Sequence, residues 1–235
     1  MSSIVIAGDT SGSVTLQAPA TAGTTVLTLP STTGTVMAPT SSGTAGQVLT
    51  SSGSATPTWA TPSSGALVLL STVTASNSAT VDVETTFDST YDVYKLIISG
   101  LTLATNNDSV ALRMKIGGSY ITTTTYVYHH SIPNSNATTY SGTASNGDDT
   151  IYLASVGNAA NRSVNYEITI FNPSSTAFSK SIIWHGTTIT SLGYAANSSG
   201  GAHNTGTAAL TGIRIYGNSS NVVAGKFRLY GVANS

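Results

Sequence analysis

The sequence predicts an all-β protein, with an extended, intertwined β-rich N-terminal segment followed by a jelly-roll-like β-sandwich. Three observations predict this fold class. Apolar and polar residues alternate with period two, as they do in strands that bury one face. Gly, Asn and Ser residues separate the alternating stretches, and no stretch has the spacing of a long amphipathic helix.

The clearest strand runs from Val110 to Ile116, where Leu112 and Met114 alternate with Arg113 and Lys115. Further strands are predicted at Leu67–Val73, Thr80–Thr86, Tyr91–Ile98, Tyr120–Tyr128, Thr150–Ser155, Val164–Ile170, Lys180–Thr190, Ile213–Ile215 and Phe227–Leu229. Roughly eight to ten short strands joined by polar turns are typical of a β-sandwich.

Charged residues are scarce, since the chain has 8 Lys and Arg and 9 Asp and Glu among 235 residues. From Thr10 to Val81 there is no Lys, Arg, Asp, Glu or His. Interspersed charges normally keep a protein surface soluble, so we expect this stretch to be covered by other protein. The chain also lacks the clustered Lys and Arg that a nucleic-acid partner requires.

The segment Thr61–Gly65, with the sequence TPSSG, predicts a linker between residues 1–60 and a C-terminal β-sandwich domain over residues 66–235. Short strands are expected at Ser3–Ala7, Ser13–Gln17 and Thr24–Leu29, but they contain too little apolar bulk for a core of their own. Pairing between identical chains would supply the missing contacts. The N-terminal segment is therefore expected to form a homotrimer.

Cysteine is absent, which excludes a disulfide framework and a thiolate nucleophile. The longest apolar run, Ala66–Leu70, is far too short to span a membrane, and the first ten residues lack the pattern of a signal peptide. Phosphate-binding and dinucleotide-binding signatures are absent as well, so no cofactor is expected.

The segment from Gly43 to Trp59 fits the pattern G-x-x-G-Q-V-L-x-S-x-G-x-x-x-P-x-W. The matching residues are Gly43, Gly46, Gln47, Val48, Leu49, Ser51, Gly53, Pro57 and Trp59. This element resembles one found in bacteriophage fibre proteins. Residues 8–36 are similar to N-terminal segments of phage virion proteins, and residues 226–235 resemble the last strand of phage jelly-roll tips.

The resemblance implies a structural protein of the virion, made in the bacterial host cytoplasm. Its N-terminal part would attach to other tail or capsid proteins, and its C-terminal domain would point outward to host-surface material. A tail fibre and a head fibre both fit. The alternative is a capsid decoration protein that stabilises the shell.

Within this element, Trp59 has two interpretations. Flanked by Pro57 and Pro62, it would fill an apolar axis shared by three chains, with Gln47, Val48 and Leu49 in the same trimerisation and attachment segment. In the second interpretation it anchors the linker on its own chain. The glycines permit close backbone approach in either case.

His129 and His130 follow Tyr126 and Tyr128 in the densest cluster of potentially functional side chains. Neighbouring residues of a strand point to opposite faces, so a shared metal ion is a weak hypothesis and no metal site is expected. Residues 146–149, with the sequence NGDD, lack the spacing of an EF-hand calcium loop and are expected to form a solvated loop.

Catalysis is not expected. Asp82, Glu84, Asp88 and Asp92 crowd one strand and turn, where a charged edge explains them better than a pair of opposed glycosidase carboxylates. A G-x-S-x-G nucleophile elbow is absent too. Enzymatic glycan degradation is kept only as a third hypothesis.

Glycan contact is the more plausible activity, because sugar sites combine aromatic faces with polar groups on a rigid scaffold. Two predicted loops, residues 128–149 and 194–205, carry such residues. The candidate contact residues are Tyr128, His129, His130, Tyr140, Tyr194 and His203. The alternative is that both stretches are simply long polar loops.

Overall fold

The structure is a computed structural model, and it describes most of the chain. The described residues are 3–17, 20–21, 23–24, 31, 43–52, 55–62, 66–84, 87–133, 135–136 and 142–234. The chain divides into two compact units, Met1–Pro62 and Ser63–Ser235. The division falls within the segment 61–65 that the sequence predicts to be a linker.

The first unit contains strands β1 (Ser3–Ala7), β2 (Ser13–Gln17), β3 (Val48–Ser52) and β4 (Ala55–Ala60). The second contains β5 (Leu67–Ser78), β6 (Val81–Val83), β7 (Val93–Leu103), β8 (Asp108–Ile116), β9 (Ser119–Tyr120), β10 (Tyr126–Ser131), β11 (Gly142–Asp148), β12 (Ile151–Val156), β13 (Val164–Phe171), β14 (Lys180–Ile189), β15 (Ala195–Asn204), β16 (Leu210–Gly217) and β17 (Val222–Val232). The described part of the chain contains no helix, which confirms the predicted all-β class.

The described part of the first unit contains two antiparallel hairpins, β1–β2 and β3–β4. Strands β1 and β2 occupy the residues predicted for them, and Ile4 lies opposite Leu16 in the pair. The third predicted strand, Thr24–Leu29, lies almost entirely outside the described residues. Both Ile4 and Ile6 are more than half exposed, at 65% and 56%. The hairpin therefore presents aliphatic side chains that its own unit does not cover.

The second unit is a sandwich of two antiparallel sheets. The larger has the order β11-β10-β15-β14-β13-β7-β17-β5, and the smaller has the order β12-β8-β16-β6, with β9 paired to β8. Without β5, β17 and the β14–β15 hairpin, two four-stranded sheets remain, β11-β10-β13-β7 and β12-β8-β16-β6. Successive strands pass from one sheet to the other, except that β10 and β11 are consecutive in the larger sheet, and this is the connectivity of an eight-stranded jelly roll. The hairpin β14–β15 is thus inserted between β13 and β10.

The core lies between the two sheets, where alternate residues of each strand point inward. Leu96, Ile168 and Phe227 represent the larger sheet and Met114 and Ile213 the smaller; all five are 0% exposed. Burying a side chain of this size contributes about 1.5–3 kcal/mol. This inward set follows the period-two pattern in the sequence.

Two stretches that the sequence predicts to be loops contain strands instead. Residues 128–149 contain the end of β10 and all of β11, and residues 194–205 contain β15. The prediction was wrong there because β11 and β15 consist mainly of Gly, Ser, Ala and Asn, which have low intrinsic strand preference. Pairing with β10 and β14 supplies the order that these residues do not encode locally.

The outer face of the smaller sheet carries a ladder of paired charges. Arg214 donates two hydrogen bonds to the carboxylate of Asp82, both at 2.7 Å, and its guanidinium lies 3.9 Å from the ring centroid of Tyr120. Lys115 donates to Glu84 at 2.9 Å, and this hydrogen bond lowers the pKa of the Glu84 carboxyl. Two of the acidic residues considered as catalytic candidates, Asp82 on β6 and Glu84 directly after it, are therefore held in ion pairs.

Two buried hydroxyls connect the inserted hairpin to the facing sheet. Ser198 on β15 donates to the carbonyl of Leu153 at 2.6 Å, and Thr188 on β14 donates to the carbonyl of Ser155 at 3.0 Å. Leu153 occupies the irregularity between β12 and β8, where the ladder skips one residue. Its carbonyl is therefore available, and a side-chain donor satisfies it.

Replacement of Ser198 by Ala should destabilise the domain by about 1–3 kcal/mol, because the Leu153 carbonyl and the Trp184 indole N–H both lose a buried partner. Ser199→Ala, at the next position on the outer face, is the matched control and should change stability by less than about 0.5 kcal/mol. Urea unfolding followed by circular dichroism measures both. Equal stability of the two variants would contradict the bridging role of Ser198.

Candidate functional site

Four neighbouring strands, β11, β10, β15 and β14, form the candidate site on the outer face of the larger sheet. Their register places His129 opposite Gly201 on one side and Ala144 on the other. Gly201 lies in turn opposite Ile183 of β14. Across the sheet, small and large residues therefore alternate in the row Ala144, His129, Gly201 and Ile183, and the surface is indented at the small residues.

Two open hollows lie on this face, with volumes of about 560 Å³ and about 730 Å³. The first is lined by His129, His203 and Asn146 among others, and the second by His129, Ile183 and His185 among others. His129 lines both hollows and therefore stands between them. We call the pair of hollows the histidine groove.

Gly201 sets the depth of the histidine groove. A Cβ added at Gly201 would lie 3.7 Å from Cε1 of His129 and 3.8 Å from Cγ2 of Ile183, which are ordinary contact distances. A side chain there would fit without backbone strain and would fill the space between these two residues. The groove is thus open because this position carries no side chain.

Gly200, the preceding residue, faces the interior, and a side chain would not fit there. A Cβ at Gly200 would overlap both the ring of Trp184 and the carbonyl oxygen of His129. Trp184 is buried, and its indole N–H donates to Ser198 at 3.1 Å. The glycine therefore allows the indole to pack directly against the underside of the groove.

All four histidines of the chain line the groove, His129 and His203 at the first hollow and His129, His130 and His185 at the second, while neither hollow is lined by Asp, Glu, Lys or Arg. The register partner of His185 on β13 is Glu167, which forms an ion pair with Lys95. The groove is therefore a surface of imidazoles and small polar or apolar groups, with one ion pair beside His185.

The predicted contact residues on β10 and β15 lie on both faces of the larger sheet. His129 and His203 share the outer face, where the register brings them to neighbouring strands. Tyr128 is among the residues that line the first hollow, but its side chain points inward and the residue is only 5% exposed. Burial raises the pKa of the Tyr128 hydroxyl to about 12.

His130 also belongs to the inner side, where its ring stacks on Tyr128 with 6.1 Å between centroids. Burial lowers the pKa of its imidazole, against a smaller opposing effect of a hydrogen bond that the ring donates to the backbone carbonyl of Tyr152. Tyr194 lies in the turn between β14 and β15, away from the residues that line the hollows. Tyr140 lies outside the described residues.

Sequence reasoning missed His185, Ile183 and Gly201. A signal for the first two was present, because the strand predicted at 180–190 alternates and buries Ile182 and Trp184. Ile183, 51% exposed, and His185 must then face outward. No comparable signal existed for Gly201, since its place in the groove depends on the pairing of β15 with β10 and β14.

The Gly43–Trp59 element forms a compact turn and hairpin in the first unit. Gln47 closes a β-turn by donating its N–H to the carbonyl of Thr44 at 3.1 Å, and its side-chain oxygen accepts from the Thr44 N–H at 2.9 Å. Gly46, the third residue of this turn, has a φ of 87°, a conformation that favours glycine. Leu49 then pairs with Trp59 across β3–β4.

Trp59 packs against Gly43, where an added Cβ would lie 2.6 Å from Cδ2 of the indole. The first glycine and the last tryptophan of the element are thus in contact, and Gly43 has a φ of 68°. One side of the indole is covered within its own unit, as the second interpretation of Trp59 requires. Val48 and Leu49 remain 45% and 44% exposed.

The acidic turn after β11 is held by protein partners. Asp148 accepts a hydrogen bond from the Tyr128 hydroxyl at 3.3 Å, and Asp149 pairs with Arg113 at 2.9 Å. Among the described residues, no group of three or more His, Asp or Glu side chains is arranged to hold a metal ion. Nor does this part of the chain contain a helix able to cross a membrane.

No protein-family model, curated protein or solved structure matches this chain. The assignment to a phage fibre family therefore stays a prediction from the residues quoted above.

The two adjacent glycines of β15 should respond oppositely to substitution. Gly200→Ala should cost about 1–3 kcal/mol of stability, because its methyl group would overlap the Trp184 ring and the His129 carbonyl. Gly201→Ala should be neutral or slightly stabilising, since the methyl group fits and Gly is unfavourable within a strand. Thermal unfolding of both variants measures the difference, and similar melting temperatures would contradict the described orientation of β15.

Proposed function

We propose that the protein is a non-enzymatic structural protein of a bacteriophage virion. In this proposal it is a homotrimeric fibre, attached to the particle through its N-terminal segment, whose C-terminal sandwich contacts host-surface glycan. The observation that carries the adhesive role is the histidine groove, a pair of open hollows on a rigid sheet. The resemblance of residues 43–59 to phage fibre proteins supports the virion assignment.

The groove has the chemistry of a carbohydrate site. Small residues such as Gly201 and Ala144 leave room for a ring, and the imidazole of His129 offers both a flat face and hydrogen-bonding nitrogens. Asn146 and Ser199 add polar groups at the margins. A mainly apolar floor with a few orienting polar groups is typical of small-molecule sites.

Features of the first unit support the proposal that it is a trimeric attachment segment. A two-stranded hairpin is marginally stable at best in water, yet β1–β2 exposes Ile4 and Ile6, and β3–β4 exposes Val48 and Leu49. No charge lies between Thr10 and Val81 to oppose close association. Association of identical chains through these residues would bury the exposed aliphatic surface.

Capsid decoration is the second candidate, and the β1–β2 hairpin, with its exposed aliphatic side chains and no charged residue within either strand, favours it equally well. A decoration protein would bind purified capsids and raise their melting temperature. A host-contacting fibre would bind bacterial cells and block phage adsorption. Cell binding without capsid stabilisation would support the fibre, and the reverse result would support decoration.

Filling the groove should abolish glycan binding. On a glycan array, the trimeric protein should bind a defined subset of bacterial surface glycans, and Gly201→Val should lose that binding because its side chain occupies the space beside His129. Thr187→Val, on the same outer face but outside both hollows, is the matched control and should bind normally. Two results would refute a glycan site in the groove. One is binding by both variants, and the other is the absence of binding by the parent protein and both variants.

Trp59→Ala should weaken the trimer. The indole packs on Gly43 and pairs across from Leu49, so its loss would disturb the exposed Val48–Leu49 surface as well as any shared axis. Thr58→Ala, at the adjacent position of β4, is the control. Sedimentation equilibrium over a dilution series should show dissociation for the Trp59 variant only. A trimer of unchanged stability would leave the indole with a role inside its own chain.

A further inference from the structure

The histidine groove has an unusual balance of titratable groups. His129 and His203 lie on adjacent strands of one face, and His185 lies across the second hollow on β14. Histidine is the side chain whose charge ordinarily changes between pH 5 and 8. A ligand in this groove therefore meets a surface that becomes positive as the solution is acidified.

Among the described residues, no carboxylate faces His129 or His203 from a neighbouring strand. Facing His129 are Ala144 on β11 and Gly201 on β15. His203 faces Val127 on β10 and Ser181 on β14.

The charged residues nearest to this face have partners of their own. Glu167 lies opposite His185 and is paired with Lys95. Asp148, at the end of β11, accepts a hydrogen bond from the Tyr128 hydroxyl. Lys180, at the start of β14, is buried and donates to main-chain carbonyls of the preceding turn. Protonated His129 and His203 thus lack an acidic partner among the described residues.

A protonated imidazole donates hydrogen bonds from both ring nitrogens, and such bonds to a carboxylate are about twice as strong as neutral ones. A neutral sugar hydroxyl gains much less from protonation of the ring. The two histidines that lack an acidic partner therefore distinguish acidic from neutral glycans.

We infer that the histidine groove binds a carboxylate-bearing glycan, such as a chain of uronic acids, through His129 and His203, and that binding strengthens on acidification. The inference rests on the proposed glycan-binding function and names the class of ligand for the same site. Ile183 and the open position at Gly201 provide the apolar floor under the sugar ring.

Oligogalacturonate, a uronic acid oligomer, and its fully methyl-esterified form are matched probes that differ in charge. The oligogalacturonate carboxylates stay ionised throughout the range of interest. Calorimetric titration of the full chain should give about tenfold tighter binding of oligogalacturonate at about pH 5.5 than at about pH 7.5. The neutral ester should bind more weakly, with an affinity independent of pH.

The double variant His129→Gln and His203→Gln keeps polar side chains and removes the titrating groups. It should lose the pH dependence while retaining the parent circular dichroism spectrum. Addition of Thr72→Lys to this variant returns a positive charge at the opposite edge of the same sheet, where Thr72 pairs with Arg228 of β17. That charge should not restore the tighter binding seen with the parent protein at about pH 5.5, which separates local recognition from net charge.

Two results would overturn the inference. Equal binding of both probes at both pH values, abolished by Gly201→Val, would leave the groove as a glycan site without acidic selectivity. Undiminished, pH-dependent binding of oligogalacturonate to the double histidine variant would place the anion site elsewhere. Failure of both probes with the parent protein would also overturn it, whereas the proposed function would still be decided separately by the glycan array.

Discussion

The hydrogen-bonded attachment of the β14–β15 hairpin to the facing sheet is the constraint on which the candidate site depends. Ser198 and Thr188 reach across to carbonyls of β12, and Trp184 packs over Gly200 beneath the groove. Strand β15 has little apolar bulk of its own, so these inward contacts fix which of its residues face outward. Gly201 and His203 reach the surface because Ser198 and Gly200 are held inside.

Charged residues are distributed differently on the outer faces of the two sheets. Arg214, Lys115 and Arg113 on the smaller sheet are each matched by a carboxylate across the strands. An ion pair of this kind contributes little to stability at a surface. It does, however, leave neither charge without a partner of opposite sign. Neither hollow on the larger sheet is lined by Asp, Glu, Lys or Arg, so histidines are the basic side chains at the groove. The two outer faces of the sandwich thus differ in chemical character.

The sequence was informative where side-chain alternation decides the structure and uninformative where pairing decides it. Strands β8 and β13 could be predicted, because residues such as Met114 and Ile168 alternate with charged or polar neighbours. Strand β15 could not, since Gly, Ser and Ala show no clear contrast between its faces. His129 and His203 were both candidates from sequence, but their proximity depends on the β10–β15 register. The burial of Tyr128 depends on the same register.

The uncharged run that ends at Val81 extends beyond the first unit, since it includes all of β5. This strand is an edge of the larger sheet, and Leu67 and Leu69 are 47% and 54% exposed. Edge strands are usually protected by charge or proline, and β5 has neither. The same composition thus occurs in the exposed hairpins of the first unit and in one edge of the second. A single requirement, coverage by neighbouring chains, would account for both, because a charge buried at such an interface would have to be paired.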